Sequence, residues 1–192
     1  MTAHDLKRAH RAAAVRRRRV VAAIGSGTAA DADACRQVGR LIADLGCDLL
    51  TGAGGGSMAE TAQAFCERRD ALGSAALAIG IVPGGADADG RYATRSGYPN
   101  RWVELAIYTH LPRSGADGTD ALSRNHINVL SADAVVALPG GAGTQSEVDL
   151  ARRYGVALIA YGGPGFAGVE HAADIGRVRE FLVSQLSETR ST

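Results

Sequence analysis

Short apolar runs alternate along this chain with stretches of helical spacing, and several of the runs stop at glycine clusters. Few folds accept that pattern. Val20–Ile24 is valine, alanine and isoleucine, and it ends in Gly25-Ser26-Gly27. Residues 31–45 put Val38, Leu41, Ile42 and Leu45 on one helical face. A second run at 47–51 ends at Gly52, and Gly54-Gly55-Gly56-Ser57 opens a helix to about residue 70. Further runs at 75–82, 102–109, 133–138 and 156–161 read as strands. Polar loops fall at 83–100 and 112–119, and helical spacing at 121–131, 144–154 and 174–186. Strands that are apolar on both faces belong to a parallel sheet covered on both sides. The prediction is an α/β chain: a Rossmann-like parallel sheet of about six to seven strands, with helices on both faces. Its connections are right-handed, and its ligand lies beyond the carboxyl ends of the strands.

The formal charge of +1 hides an asymmetry. Residues 1–19 hold seven bases (Lys7, Arg8, Arg11 and Arg16 to Arg19) and one acid, Asp5, which leaves the remainder with 14 bases and 19 acids. A mildly acidic body argues against a broad nucleic-acid surface. Residues 1–19 are therefore read as a basic, disordered arm, and 20–192 as a single nucleotide-binding domain. Lys7 is the only lysine, so the body cannot supply a Walker P-loop or a Schiff-base lysine. Cys35, Cys47 and Cys66 are odd in number and widely spaced, as buried thiols of a reducing cytoplasm would be. No apolar run approaches the roughly 20 residues of a membrane span, and no secretory signal is recognisable. No His/Cys/Asp cluster suggests a metal site.

Three glycine turns are the candidate ligand contacts. In Pro139-Gly140-Gly141-Ala142-Gly143-Thr144-Gln145-Ser146-Glu147, an apolar strand runs into a turn and then a helix start. Unpaired N–H groups and the helix dipole there suit a phosphate, and the Thr144 hydroxyl adds a donor. Glu147, one turn on, sets a carboxylate beside the anion. Gly25-Ser26-Gly27-Thr28-Ala29-Ala30 fits the dinucleotide fingerprint, but no acid ends the second strand as an NAD site requires. Contact with another nucleotide, NAD(P) binding and a purely structural turn all stay open for it. Gly54, Gly55 and Gly56, followed by Ser57 and Met58, form a turn richer in glycine than a simple bend needs. Ser57 and Glu60 are spaced as a capping box, so Glu60 reads as structural. Arg124, near a helix start, is either a bidentate anion ligand or a surface arginine. His126 reads as a surface or interface histidine, and Asp133 as a helix-to-strand turn residue.

Residues 139–147 match the P-G-G-x-G-T-x-x-E motif, with an arginine a short helix and strand upstream. In this the chain resembles the LONELY GUY (LOG) superfamily, some of whose members were long labelled lysine decarboxylases. The resemblance covers roughly residues 20–186. It implies a Rossmann-like fold, a homodimer or tetramer, and cleavage of nucleoside 5′-monophosphates to free base and ribose 5-phosphate with no cofactor required. The sister branch of molybdenum cofactor carriers looks closer over residues 123–133, where Asn125 replaces the lysine of the cytokinin-activating enzymes. Ser57 and Ala59 depart from the second turn of those enzymes as well. The leading expectation is a phosphoribohydrolase. In it the N–H groups of Gly141 to Thr144 hold the 5′-phosphate, Glu147 stabilises a ribosyl cation or aligns water, and Arg124 steadies the substrate or leaving base. The alternative is a carrier that holds a pterin phosphate, the molybdenum cofactor as cargo, without turnover. An NAD(P)-binding protein is the third reading.

Overall fold

A computed structural model describes residues 17–187; residues 1–16 of the basic arm and the last five residues lie outside it. The strands are β1 Val20–Ile24, β2 Asp48–Thr51, β3 Ala78–Val82, β4 Gly84–Ala86, β5 Tyr92–Thr94, β6 Leu105–Tyr108, β7 Ala134–Ala137, β8 Ala157–Tyr161 and β9 His171–Ala172. The helices are α1 Ala32–Asp44, α2 Ser57–Ala71, α3 Asn125–Ser131, α4 Ala142–Tyr154 and α5 Ile175–Ser187. Seven strands make one sheet in the order β6-β3-β2-β1-β7-β8-β9, and every pairing in it is parallel. The architecture is therefore α/β and Rossmann-like, as the alternation of apolar runs predicts. β1 lies between β2 and β7, where the winding reverses and the strand ends part to leave a crevice.

Alternation along the strands divides the core into two layers. Val21 and Ala23 of β1, with Ala134 and Val136 of β7, pack under α1, α2 and α5 around Phe65, Val38, Ile42 and Leu182. Val20, Ala22 and Ile24, with Val135 and Ala137, face α3 and α4 through Val129, Val148, Leu150 and Ala151. Cys35, Cys47 and Cys66 are free and buried, and burial pushes the thiols of Cys47 and Cys66 up to about 11.

Several boundaries differ from the sequence reading, each for a local reason. The run at 75–82 pairs only from Ala78, because the Leu77 N–H donates to the Asp48 carboxylate and the Ala78 N–H to Glu104. Residues 100–103 are a turn in which Asn100 accepts from the N–H groups of Trp102 and Val103, so β6 begins at Leu105. Asp120 accepts from the N–H groups of Leu122 and Ser123, which delays α3 to Asn125. The stretch read as loop at 83–100 holds an antiparallel hairpin, β4 with β5, and the 112–119 loop holds one turn of 3-10 helix at Gly115–Asp117. β9 is two residues long, below what a periodicity reading can detect. Just ahead of β1, Arg17 reaches the Asp133 carboxylate at 2.8 Å and Arg18 the Asp48 carboxylate at 3.1 Å. Asp133 also accepts from the Val20 N–H, tying the entry of β1 to that of β7. No helix among the described residues is long and apolar enough to cross a membrane.

Candidate functional site

The three glycine turns follow β1, β2 and β7, which are neighbours, so all three meet at one end of the sheet. They are bonded to one another: the Ser26 N–H donates to the Pro139 carbonyl at 3.2 Å, and the Ser57 N–H to the Ser26 carbonyl at 2.8 Å. Gly56 takes the left-handed region (φ 56°), which favours glycine, and a methyl group there would run into the Ser26 carbonyl.

Three helices start at this crevice, and only one of them leaves all three of its leading N–H groups without an acceptor among the described residues. α1 begins at Ala32 rather than at the glycines, and its N-cap Asp31 accepts from the Ala34 N–H at 3.1 Å. That carboxylate stands where a dinucleotide's pyrophosphate would have to sit. α2 starts at Ser57, whose N–H is already taken by Ser26. The capping box expected from Ser57 and Glu60 does not form. The helix N-cap is Gly56, with no side-chain cap, and the Ser57 hydroxyl is drawn away to donate to the Ala29 carbonyl. α4 has Gly141 as N-cap with no side-chain cap, and no acceptor among the described residues takes the N–H groups of Ala142, Gly143 or Thr144. Gly140, Gly141 and Ala142 are exposed. This is an open anion seat of the kind helix starts provide.

Buried polar groups lie beside and beneath that seat. Thr144 is buried and its hydroxyl has no partner; a methyl group at Gly140 would collide with it. Arg124 projects from the start of α3, its side chain only 6% exposed, and its Nη1 lies 3.6 Å from Glu147 Oε1. The Asn128 amide donates to the same Glu147 oxygen at 2.8 Å. Nε and Nη1 of Arg124, Oδ1 of Asn125 and Oδ1 of Asn128 are buried without hydrogen-bond partners. Buried polar atoms are normally satisfied, so a cluster of orphans beside an anion seat points to partners that a ligand or water supplies. The Glu147 side chain is 9% exposed. Burial pushes its carboxyl above the usual carboxylate range, outweighing the opposing effects of Arg124 and of the Asn128 hydrogen bond.

Gly25, Ser26, Gly27, Gly54 to Met58, Gly140 to Thr144, Arg124 and Glu147 are thus all at the carboxyl ends of β1, β2 and β7 or on the helices beside them. Arg124 is buried, which removes the surface-arginine reading. His126 is part-buried, with Nδ1 2.6 Å from the Tyr154 hydroxyl and Nε2 2.9 Å from the Asp120 carbonyl, and so serves the α3–α4 contact. Sequence reasoning missed Gly52, Asn125, Asn128 and Ser146. Gly52 ends β2, and any side chain there would overlap the Arg124 guanidinium. Ser146 accepts from the Asn125 amide, and its single hydroxyl proton is shared between the Gly143 carbonyl at 2.7 Å and the Gly115 carbonyl at 3.1 Å, linking the 112–119 loop to the start of α4. Gly52 did show in the sequence as the break after β2; the amides carry no signal without the fold.

A doubly wound sheet with an uncapped glycine helix start and a buried arginine–glutamate pair defines a protein of the Rossmann-like, LOG-like class. A family model described as the SLOG cluster4 family matches residues 18–188, and the chain belongs to that family. Among solved structures, it is 28% identical to the molybdenum cofactor binding protein from the phototrophic bacterium Rippkaea orientalis. That match covers 90% of this chain and 99% of that one, with a TM-score of 0.66. It is 25% identical to the molybdenum cofactor carrier protein of Chlamydomonas reinhardtii, over 89% and 99% of the two chains, with a TM-score of 0.67. DNA processing protein A from Helicobacter pylori shares the fold alone, at 14% identity over 86% of this chain and 80% of that one, with a TM-score of 0.59. No curated protein matches the chain.

Proposed function

We propose that this protein binds a phosphorylated, nucleotide-like molecule across the ends of β7, β1 and β2, and that it carries a pterin phosphate of the molybdenum cofactor type without cleaving it. The phosphate sits on the N–H groups of Ala142, Gly143 and Thr144 with the Thr144 hydroxyl, and Arg124 offers Nε and Nη1 to an acceptor farther along the ligand. The observation that carries the absence of turnover is the state of Glu147. It is buried, accepts from the Asn128 amide and lies beside Arg124, so its carboxyl is engaged within the protein and not presented to a sugar. The two solved relatives named for molybdenum cofactor binding and carriage support the cargo.

The second reading is hydrolysis of a nucleoside 5′-monophosphate, and the observation in its favour is position. The Arg124–Glu147 pair stands within two turns of the open start of α4, near the place of a ribose whose 5′-phosphate occupies that seat. In this reading Glu147 ionises on substrate binding and stabilises the ribosyl cation. In either reading the protein works as an assembly of like copies, which the family resemblance implies and the exposed apolar residues of edge strand β6 support.

Protein expressed in cells that make the cofactor should carry pterin, detected by its fluorescence after oxidation and release, together with molybdenum. It should release no base from a panel of nucleoside 5′-monophosphates followed by chromatography. Base release that needs both the 5′-phosphate and Glu147 would replace the carrier reading with the hydrolase.

A further inference from the structure

One aromatic side chain faces the crevice from a segment that no motif covers. The 95–103 loop between β5 and β6 folds back over the turn after β2. Asn100 holds it there: its N–H donates to the Ala53 carbonyl at 2.8 Å, and its amide to the Gly54 carbonyl at 2.9 Å. Ala53 itself is held in the left-handed region (φ 63°), a conformation that costs an alanine energy and persists only when its surroundings enforce it. The loop thus lays Tyr98 against Gly54, where a methyl group would stand 2.8 Å from the tyrosine hydroxyl and 2.9 Å from Cζ. Met58, itself buried, reaches the same place. Its Cε would stand 2.7 Å from a methyl group at Gly54 and 3.6 Å from one at Gly27, so it bridges the first and second glycine turns. Tyr98 is half-buried, and its hydroxyl has no hydrogen-bond partner among the described residues.

We propose that Tyr98 and Met58 form the platform on which the ligand's flat heterocycle lies, with Tyr98 as the residue that separates ring-bearing phosphates from bare sugar phosphates. This rests on the phosphate seat proposed above, at the start of α4. That seat follows β7, and the Tyr98 platform follows β2, two strand spacings away, about 10 Å. This is the reach from a 5′-phosphate to its base. An aromatic ring and a polarisable thioether are surfaces that a planar heterocycle stacks on, and glycine at 54 leaves the room that lets both side chains close on the second turn. The free tyrosine hydroxyl is placed to bond a ring substituent. Asn100 is a positioning residue that acts through the loop.

Guanine and pterin share a 2-amino-4-oxo pyrimidine ring, so GMP is a usable probe, with ribose 5-phosphate as its ringless counterpart. Calorimetry should show GMP binding more tightly than ribose 5-phosphate to the unaltered protein. Tyr98→Ala should weaken GMP about tenfold, within the range for lost base–aromatic stacking, and leave ribose 5-phosphate unchanged. Tyr98→Phe should keep most of the GMP affinity. Thermal unfolding and the fluorescence of the single tryptophan, Trp102 in the same loop, report whether each variant is folded. Unchanged GMP affinity in Tyr98→Ala, or equal loss of both probes, overturns the platform and leaves the phosphate seat standing. Unaltered protein that binds neither probe overturns the seat and the platform together.

Discussion

At the scale of single residues, the site depends on groups that gain nothing from their burial in the folded chain alone. Thr144 keeps a buried hydroxyl unpartnered, which costs stability on the order of 1 kcal/mol or more. Thr144→Val keeps the shape and removes that group. It should leave the thermal midpoint unchanged or raised, while lowering affinity for ribose 5-phosphate about tenfold. Lower stability with unchanged affinity would make Thr144 a packing residue. Gly52→Ala tests the opposite case, a position with no room. Its methyl group enters the space of the Arg124 guanidinium, so about 1–3 kcal/mol of stability should be lost in denaturant titration, together with ligand binding. Glu147 adds a pH signature. Its folded-state carboxyl lies above the usual range, so its contribution to stability is complete below the unfolded chain's value and is lost as pH rises through the folded one. The stability of the unaltered protein relative to Glu147→Gln should therefore fall with rising pH above about 4.3, by at most about 1.4 kcal/mol per unit, and then level off. A difference that grows with pH would mean that the ion pair with Arg124 outweighs burial.

At the scale of elements, the three strand–turn–helix junctions look alike in sequence and differ in what fills them. Asp31 closes the first, Ser26 takes the leading N–H of the second, and the third stays open. The glycines and the succession of strands and helices along the chain were legible because local backbone demands and apolar periodicity are written residue by residue. The state of each helix start was not, since Ser57 is a capping residue by type and is claimed by the Ala29 carbonyl only once the turns meet. The same holds for Asn128 and Glu147, 19 positions apart and joined only across α3 and α4. The β4–β5 hairpin escaped notice because Gly84-Gly85-Ala86 has neither alternation nor β-branched residues. That hairpin nevertheless reaches the site through Arg95, whose guanidinium donates to the Ser114 hydroxyl and the Pro112 carbonyl. The segment it steadies includes Gly115, which lies against Gly143 at the anion seat. Arg95→Ala should speed amide exchange across residues 112–118 and quicken ligand release, with little change in global stability, since both bonds are exposed. Unaltered exchange in that segment would mean that Ser146 alone holds the loop.

At the scale of the whole molecule, the two faces of the sheet are covered unequally. Three helices lie on one face and two on the other, and the two, α3 and α4, pack over the β1–β7–β8 side. Beyond them β3 and β6 carry Ile79, Leu105 and Ile107 toward the α3–α4 side, as their pairings with one another and with buried Ile81 show. Leu105 and Ile107 are 45% and 41% exposed on a strand that is also the edge of the sheet. An edge strand with open hydrogen-bonding groups and two large apolar side chains invites a partner unless something covers it. A second copy of the chain would bury that strip and leave the crevice at the carboxyl ends of β1, β2 and β7 open. Light scattering at micromolar concentration should therefore give a mass at least twice that of one chain. The double variant Leu105→Glu, Ile107→Glu should shift it toward one chain. Its binding of ribose 5-phosphate should persist, because the anion seat on α4 lies on the far side of β1 from β6. Loss of binding on dissociation would instead show that a neighbouring copy completes the site. A single-chain mass for the unaltered protein would remove the assembly from the proposed function and leave the strip to another partner.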